Sequence, residues 1–226
     1  MIVIPEPGGN VLVSDFDGTM TRQDFYKLAV EFLLPADFPN YLQQYRNGTI
    51  THFEALRRYF AAITASEAEL LELVAQMDLD PLLPQSVQQL QAAGWNVIVT
   101  SAGCAWYIRH ILNDAGVGIE VHANPGRLEP GQGLVMEPPH DSPYFSPQFG
   151  VSKAAVVRKY QKEGRTVAFA GDSVPDAEAA RLVAAEWRFA RADLARLLDE
   201  EGLGYQRFER WSEIARKLLS QSGVSS

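Results

Sequence analysis

The sequence of 226 residues contains one cysteine, Cys104. A single cysteine excludes a disulfide framework within the chain and any zinc site built from several cysteines. Runs of about 18 consecutive apolar residues, which a membrane-spanning helix requires, are also missing. The chain does not begin with a basic segment followed by a long apolar one. We therefore expect a cytoplasmic protein with no membrane partner.

Positive charge is scarce, since 20 Lys and Arg stand against 28 Asp and Glu, for a net charge of −8. No basic cluster stands out to bind a nucleic-acid backbone, so a nucleic-acid partner is not expected. An acidic protein that handles phosphate must place a metal, lysine or arginine locally. The length fits one large domain or a core with a smaller insert, as a monomer or homodimer.

Short apolar runs alternate with helical stretches through most of the chain. The runs predict four core strands, Val11–Ser14, Asn96–Thr100, Val167–Ala170 and Trp187–Ala190. The last three follow predicted helices at Gln85–Ala93, Lys153–Lys162 and Asp176–Val183. This alternation is typical of a parallel sheet with crossover helices. We predict the α/β class, with a Rossmann-like parallel sheet core.

The segment after the first strand lacks strand patterns and is rich in helix signals. Asp24–Leu34 has helical spacing, and both Thr51-His-Phe-Glu54 and Ser66-Glu-Ala-Glu69 match a capping box. We predict an inserted all-helical cap over residues 21–84, with a core of residues 1–20 and 85–226. The proline- and glycine-rich stretch 122–150 predicts a short hairpin and a surface loop.

The first strand ends in Asp15-Phe-Asp-Gly-Thr19. Open α/β sheets bind ligands at the C-terminal ends of their strands. Two acids in that position are costly unless a cation lies between them. The alternative is an ordinary turn, in which Asp, Gly and Thr are common.

Chemically useful residues also follow the other predicted strands. Thr100-Ser101-Ala102-Gly103 offers hydroxyls and backbone N–H groups that suit an anion. Gly171-Asp172-Ser-Val-Pro-Asp176 adds two carboxylates, and Lys153 begins a helix. Each feature also has an ordinary structural explanation, as a helix cap or a surface lysine. Three carboxylates meeting at one sheet edge favour a hard cation, and Mg²⁺ fits best.

Taken together, Asp15-Phe-Asp-Gly-Thr, Ser101, Lys153 and Gly171–Asp176 resemble in order and spacing the motifs of the haloacid dehalogenase superfamily. The helical insert resembles the C1-type cap of that superfamily. The resemblance implies that Asp15 is a nucleophile which forms an aspartyl-phosphate, and that Asp17 is a general acid and base. Phosphatases carry Asp at the second position of the pair, which favours a phosphate ester over an organohalide.

The resemblance also implies how the remaining residues act. Mg²⁺ would be held by Asp15, the backbone carbonyl of Asp17 and Asp172, with Asp176 orienting the site from behind. The transferring phosphate oxygens would be bound by Ser101, Ala102 and Lys153.

Two phosphatase families compete for the closest resemblance. Residues 171–182, Phe189-Ala190-Arg191 and the opening motif are similar to the methionine-salvage phosphatases of 2-hydroxy-3-keto-5-methylthiopentenyl-1-phosphate. Residues 48–59 resemble the cap of phosphoserine phosphatases instead. Both resemblances imply a small phosphorylated metabolite as substrate, with specificity contacts at Asp24, Arg58 and Tyr59.

Alternatives from other classes stay open at this point. The same fold could serve as a non-catalytic phosphate-binding or interaction module, although such a module would be expected to have lost one of the key acids or Lys153. A metal-dependent glycosyltransferase also uses an Asp-X-Asp pair, but it would leave the other motifs unexplained. His122 and His140 are candidate ligands of a second metal.

Overall fold

A computed structural model describes residues 9–221 of the chain. The strands are β1 Asn10–Ser14, β2 Trp95–Cys104, β3 Glu120–Asn124, β4 Gly126–Glu129, β5 Gly133–Met136, β6 Phe145–Ser146, β7 Gly150–Val151, β8 Val167–Gly171, β9 Arg188–Ala190 and β10 Gln206–Arg207. The helices are α1 Phe25–Phe32, α2 Tyr41–Arg46, α3 His52–Ala61, α4 Glu67–Ala75, α5 Leu83–Ala92, α6 Ala105–Asp114, α7 Lys153–Lys162, α8 Ala177–Arg181, α9 Ala192–Glu200 and α10 Trp211–Gln221.

The main sheet is parallel, with the strand order β10-β9-β8-β1-β2-β3. Successive side chains of β1 point to opposite faces: Leu12 packs into one core cluster, and Val11 and Val13 pack into the other. Helices cover both faces, which explains why the central strands are apolar throughout. The predicted α/β class and Rossmann-like sheet are confirmed. Within residues 9–221, no helix has both the length and the apolar character needed to cross a membrane.

Two strands of the main sheet were not predicted. β3 and β10 are the edge strands, and their residues are mostly half-buried or exposed. An edge strand has only one neighbour and lacks the continuous apolar run of a central strand. The stretch 122–150 contains the predicted hairpin, formed by β4 and β5, but it begins inside β3 and ends beside a second small pair, β6 and β7.

Helices α1 to α4 form the predicted helical insert between β1 and α5. Its two connections to the sheet meet in a bridge between Thr21 and Leu79. Apolar side chains of the insert, such as Phe25 and Phe60, join the core cluster on one face of the sheet. The backbone N–H of Phe53 donates to the Gln148 carbonyl at 3.0 Å and adds a polar link. The division into a core and a cap at residues 21–84 stays a prediction.

Of the two predicted capping boxes in the insert, one is complete. The Ser66 hydroxyl accepts from the Glu69 N–H while the Glu69 carboxylate accepts from the Ser66 N–H. At α3 the Thr51 hydroxyl accepts from the Glu54 N–H at 3.1 Å, but the Glu54 carboxylate does not return to Thr51. It pairs instead with Arg57 and Arg58, because hydrogen bonds to a charged guanidinium are stronger than one to a neutral N–H.

Candidate active site

Three neighbouring strands bring their C-terminal ends to one edge of the sheet. Asp15 follows β1, Ser101 lies near the end of β2, and Asp172 follows β8. Because β1 pairs in parallel with both β2 and β8, these side chains meet although more than 150 residues separate the first from the last. Asp15 is 4% exposed and Asp172 is 8% exposed, so both carboxylates are largely withdrawn from water.

Lys153 is the cation that meets these acids. It is the first residue of α7, where the Ser152 hydroxyl caps the helix by accepting from the Ala155 N–H. Its Nζ lies 2.6 Å from Asp15 Oδ1 and 2.5 Å from Asp176 Oδ1. Burial alone would lower the pKa of the Lys153 ammonium, but the charges of the two aspartates outweigh burial and raise it. Lys153 is therefore charged throughout the physiological range.

Asp176 is fully engaged by its neighbours. Its Oδ1 binds Lys153, and its Oδ2 accepts from the backbone N–H groups of Asp172 and Ser173 and from the Ser173 hydroxyl. A Cβ at position 171 would stand 2.6 Å from the Asp176 Cγ, so Gly171 is needed for this approach. Asp176 thus holds the 171–173 loop and Lys153 in place and has no oxygen free of these contacts.

The Asp172 carboxylate, unlike that of Asp176, accepts few hydrogen bonds. The Thr19 hydroxyl is 3.5 Å from Oδ1, and Oδ2 lies against Gly18, where a Cβ would approach it to 2.3 Å. Burial, followed by the charges of Asp15 and Asp176, raises the pKa of Asp172 well above its usual value. A buried carboxylate with this environment needs either a proton or a cation.

The oxygen atoms at this edge fit a magnesium ion. Asp15, Asp172 and Asp176 each offer a carboxylate oxygen, and the three atoms lie within 4.8 Å of one another. Burial raises the pKa of Asp15 above its usual value, against the attraction of Lys153. An all-oxygen set of carboxylates suits Mg²⁺, which accepts few protein ligands and keeps positions for water or phosphate. Since Asp176 is already satisfied, Asp15 and Asp172 are the better ligands.

Asp17 is held from two sides. Its Oδ1 accepts from the backbone N–H of Phe25 at 3.0 Å, at the start of α1. Its Oδ2 accepts from the Tyr107 hydroxyl at 2.9 Å and lies 3.4 Å from the Ser101 Oγ. Burial, and next the negative charge of Asp24, raises the pKa of Asp17 to about 6. A carboxyl group with this pKa exchanges a proton readily near neutral pH.

The C-terminal part of β2 forms a small polar cradle beside Asp17. The Gly103 N–H donates to the Ser101 Oγ at 2.9 Å, within the irregular stretch where the pairing of β2 with β3 shifts between Thr100 and Cys104. The Asn124 amide donates to the Ala102 carbonyl at 2.7 Å and to the Phe149 carbonyl at 3.1 Å. Asn124 therefore fixes the cradle against the segment that leads to Lys153.

A cavity of about 500 Å³ opens over these residues, between the sheet edge and the helical insert. Its floor contains Asp15, Asp17, Ser101, Ala102, Lys153 and Asp172. Its opposite wall consists of insert residues that are mainly apolar or aromatic, with two cations: Tyr26, Lys27, Leu42, Tyr45, Arg46, His52, Leu56 and Phe60.

Of the three predicted specificity residues, the structure places one at the cavity and two away from it. Asp24 lines the cavity and pairs with Lys27 at 2.6 Å. Arg58 and Tyr59 are not among the lining residues. Arg58 pairs with Glu54 and stacks over the Tyr41 ring, while Tyr59 is buried and accepts a hydrogen bond from the Leu42 N–H. Leu56 and Phe60 of the same helix face the cavity instead.

The candidate second-metal ligands lie apart from the acidic centre. His122 Nε2 is 2.9 Å from Glu120 Oε1, and the His140 ring packs on Phe145 at 4.7 Å. Across residues 9–221, neither histidine belongs to a group of three potential metal ligands.

Several residues of the site were not found from the sequence, among them Tyr107, Asn124 and His52. Tyr107 sits in the amphipathic pattern of α6, where a buried tyrosine reads as a core residue. Asn124 belongs to the unpredicted β3. His52 lies inside the capping motif of α3, and its buried Nδ1 has no hydrogen-bond partner among residues 9–221. No sequence signal separates these residues from ordinary structural ones.

A parallel sheet whose central strand leads into an Asp-X-Asp pair, with Asp15 buried and Asp17 half-buried, beside a lysine and two further carboxylates, defines a Rossmann-like enzyme with an acidic centre. The chain belongs to the haloacid dehalogenase-like hydrolase family, whose model matches residues 12–181. The family predicted from the motifs is confirmed.

Several known proteins are similar to this chain over most of its length. The Pdp3-interacting factor 1 of Schizosaccharomyces pombe is 26% identical over 220 residues, which span 91% of this chain and 93% of that protein. The 2-hydroxy-3-keto-5-methylthiopentenyl-1-phosphate phosphatase of Exiguobacterium sibiricum is 24% identical over 211 residues, or 92% of this chain and 95% of that one. A substrate-bound phosphoserine phosphatase structure shares the fold, with a TM-score of 0.65 at 14% identity over 96% of this chain and 99% of its own.

Proposed function

We propose that the protein is a Mg²⁺-dependent phosphatase that hydrolyses the phosphate monoester of a small metabolite through an aspartyl-phosphate. The observation that carries this proposal is the buried contact of Lys153 with Asp15, next to the buried carboxylate of Asp172, which accepts from the Thr19 hydroxyl at 3.5 Å. Such a centre offers a nucleophile together with positive charge for a phosphate group. Membership of a hydrolase family supports the proposal.

The reaction would proceed in two displacements. A carboxylate oxygen of Asp15 attacks phosphorus, the bond to the leaving oxygen breaks, and Asp17 gives that oxygen a proton. Water then attacks the aspartyl-phosphate, Asp17 takes a proton from the water, and the bond between phosphorus and Asp15 breaks. The pKa of Asp17, raised to about 6, suits both proton transfers.

Each remaining residue of the floor has an assigned part in the proposal. Mg²⁺ would be held by the carboxylates of Asp15 and Asp172 and by the backbone carbonyl of Asp17. When bound, it would offset the charge of the phosphate oxygens. Asp176 keeps the 171–173 loop and Lys153 in position. The phosphate oxygens would be bound by Ser101, the backbone at Ala102, and Lys153.

The cavity wall favours a small leaving group with a substantial apolar part. Leu42, Leu56 and Phe60 present carbon surface opposite the acids. This agrees with the name of the relatives that act on 2-hydroxy-3-keto-5-methylthiopentenyl-1-phosphate. If that phosphate is the substrate, the enzyme would serve methionine salvage in the cytoplasm. Phosphoserine is the alternative substrate, for which Asp24 would have to leave Lys27 and bind the amino group.

A screen of phosphorylated metabolites in the presence of Mg²⁺ tests the proposal, with release of phosphate as the readout. Asp15→Asn should abolish turnover because it removes the nucleophilic oxygen while keeping the volume. The matched control is Asp114→Asn, an exposed position at the end of α6, which should retain full activity. A folded Asp15→Asn variant with near-normal turnover would show that Asp15 is not the nucleophile. Binding of phosphate without turnover by the unchanged protein would favour the non-catalytic module.

A further inference from the structure

Tyr107 makes a short contact with Asp17 at the wall of the cavity. Its side chain is 1% exposed, and its hydroxyl donates to Asp17 Oδ2 at 2.9 Å. The ring stacks on Phe25 with centroids 4.4 Å apart and meets the edge of Phe60 at 6.4 Å. Two aromatic neighbours hold the ring, so the hydroxyl is fixed before any substrate binds.

The close approach depends on a glycine. A Cβ at position 103 would stand 1.9 Å from the Tyr107 hydroxyl and 2.9 Å from Asp17 Oδ2. Any side chain at this position would separate the phenol from the carboxylate. Gly103, Tyr107 and Asp17 therefore form one packed unit at the edge of the cavity.

Hydrogen bonds hold both oxygens of Asp17. Oδ2 accepts from the Tyr107 hydroxyl at 2.9 Å, and Oδ1 accepts from the Phe25 N–H at 3.0 Å. Together these bonds fix the plane of the carboxyl group, because a rotation of that plane would break both of them. If the phenol were absent, Oδ2 would keep the longer contact with Ser101, at 3.4 Å, and the carboxyl group could turn about its remaining bond to Phe25.

We propose that Tyr107 is a positioning residue that holds Asp17 in the orientation required for proton transfer to the leaving group. This inference rests on the proposed phosphatase function. In the first displacement, the bond between Asp15 and phosphorus forms, the bond to the leaving oxygen breaks, and the electron pair of that bond takes the proton from Asp17. Tyr107 keeps its own proton in this step, and it acts only through the carboxyl group that it orients.

This role has a signature that a purely structural role lacks. Proton donation accelerates the departure of an alkoxide strongly and that of a nitrophenolate little, because the nitrophenolate is stable without a proton. The kcat/KM value reports events up to formation of the aspartyl-phosphate, so it isolates the step that uses the leaving group. Loss of Tyr107 should therefore affect alkyl phosphates selectively.

The test compares Tyr107→Phe with the unchanged enzyme on an alkyl phosphate that it hydrolyses and on p-nitrophenyl phosphate. We expect kcat/KM to fall by about 10- to 100-fold for the alkyl ester and by less than about 3-fold for the aryl ester. Tyr160→Phe is the matched control, since it removes a buried hydroxyl that contacts Glu120 outside the cavity. In an Asp17→Asn background, Tyr107→Phe should cause no further selective loss.

Any of three results would overturn the inference. The kcat/KM value could fall equally for both esters, or it could fall for neither ester. Tyr107→Phe could also cause an additional selective loss in the Asp17→Asn background. If Tyr107→Phe does not fold, Gly103→Ala replaces it and is judged by the same selectivity, because the added methyl overlaps the Tyr107 hydroxyl, crowds Asp17 Oδ2 and so separates the two groups. Failure of the proposed function has a separate outcome: the unchanged enzyme hydrolyses neither ester, and both proposals are then rejected.

Discussion

Lys153 and Asp15 form a buried ion pair, with Nζ 2.6 Å from Oδ1, although β1 and α7 carry them from distant parts of the chain. Both side chains are almost fully withdrawn from water. Burying two charges costs desolvation free energy. The attraction between the charges offsets this cost only when each charge also makes further hydrogen bonds or ion pairs. Asp176, as second partner of the ammonium, supplies such a contact.

Replacement of Lys153 should damage both stability and activity. Lys153→Gln leaves the buried carboxylates of Asp15 and Asp176 without their cation, at an expected loss of about 3–5 kcal/mol in the free energy of unfolding. The pKa of Asp15, which burial already raises, would rise further in the folded state, so the folded state would bind more protons than the unfolded state. The loss should therefore be larger at pH 8 than at pH 5.

Urea unfolding at the two pH values measures this effect, and phosphate release measures the activity. Lys162→Gln, at the exposed end of the same helix, is the control and should change neither. A loss of stability that is the same at both pH values would contradict the role of Lys153 as the counterion of these acids.

Magnesium should stabilise the folded protein as well as support turnover. A ligand that binds only the folded state at about 100 times its Kd adds about 2.7 kcal/mol to stability. Asp172→Asn should abolish the Mg²⁺-dependent rise in Tm, while the Tm of its metal-free form stays equal or increases because a buried charge is removed. Asp114→Asn should keep the full rise.

Calcium should stabilise the protein in the same assay yet support turnover poorly, because its looser coordination places phosphate less accurately. A protein whose Tm and activity are both unchanged by a chelator and by added Mg²⁺ would refute the metal site.

Arg46 should draw phosphorylated substrates toward the cavity. It ends α2 at the rim, and within residues 9–221 its guanidinium has no acidic partner. Arg46→Gln should lower kcat/KM by about 3- to 10-fold at low salt, with a smaller effect at high salt, where the charge is screened. Arg57→Gln is the control, because Arg57 pairs with Glu54 outside the cavity and should leave the kinetics unchanged. If both substitutions changed kcat/KM equally, Arg46 would have no specific role in substrate capture.

His52 should make the protein less stable in mild acid. Burial, and then the charge of Lys153, lowers the pKa of this ring to about 4 in the folded state. Between about pH 6.5 and this value, the unfolded chain takes up a proton that the folded chain does not. Stability should thus fall as the pH drops from 6.5 to 4, by at most about 3 kcal/mol from this residue.

Urea titration of the unchanged protein and of His52→Asn between pH 7.5 and 4.5 measures this contribution. It gives the free energy of unfolding of each protein at each pH. The variant should show a shallower decline. Parallel curves for the two proteins would mean that the His52 ring is protonated in the folded state as easily as in the unfolded one.

Much of the fold could be predicted because its signals are local. Strand β1 is a short apolar run between turn residues, and α7 was predicted with its observed bounds because Ser152 and the amphipathic pattern mark its start. The order of strands and helices along the chain then implied a parallel sheet, with its chemistry at one edge. That edge contains Asp15 and Asp172 in the structure.

The sequence by itself determined the class, the family and the acids of the floor, because strand ends and motif spacing are written along the chain. Only the tertiary structure decided which side of the insert helices faces the cavity. On α3, packing turns Leu56 and Phe60 toward the cavity and leaves Arg58 on Glu54 and Tyr41. The contact between Tyr107 and Asp17 has the same origin, because a hydrogen bond across 90 residues depends on how α6 packs against the sheet and not on any local pattern.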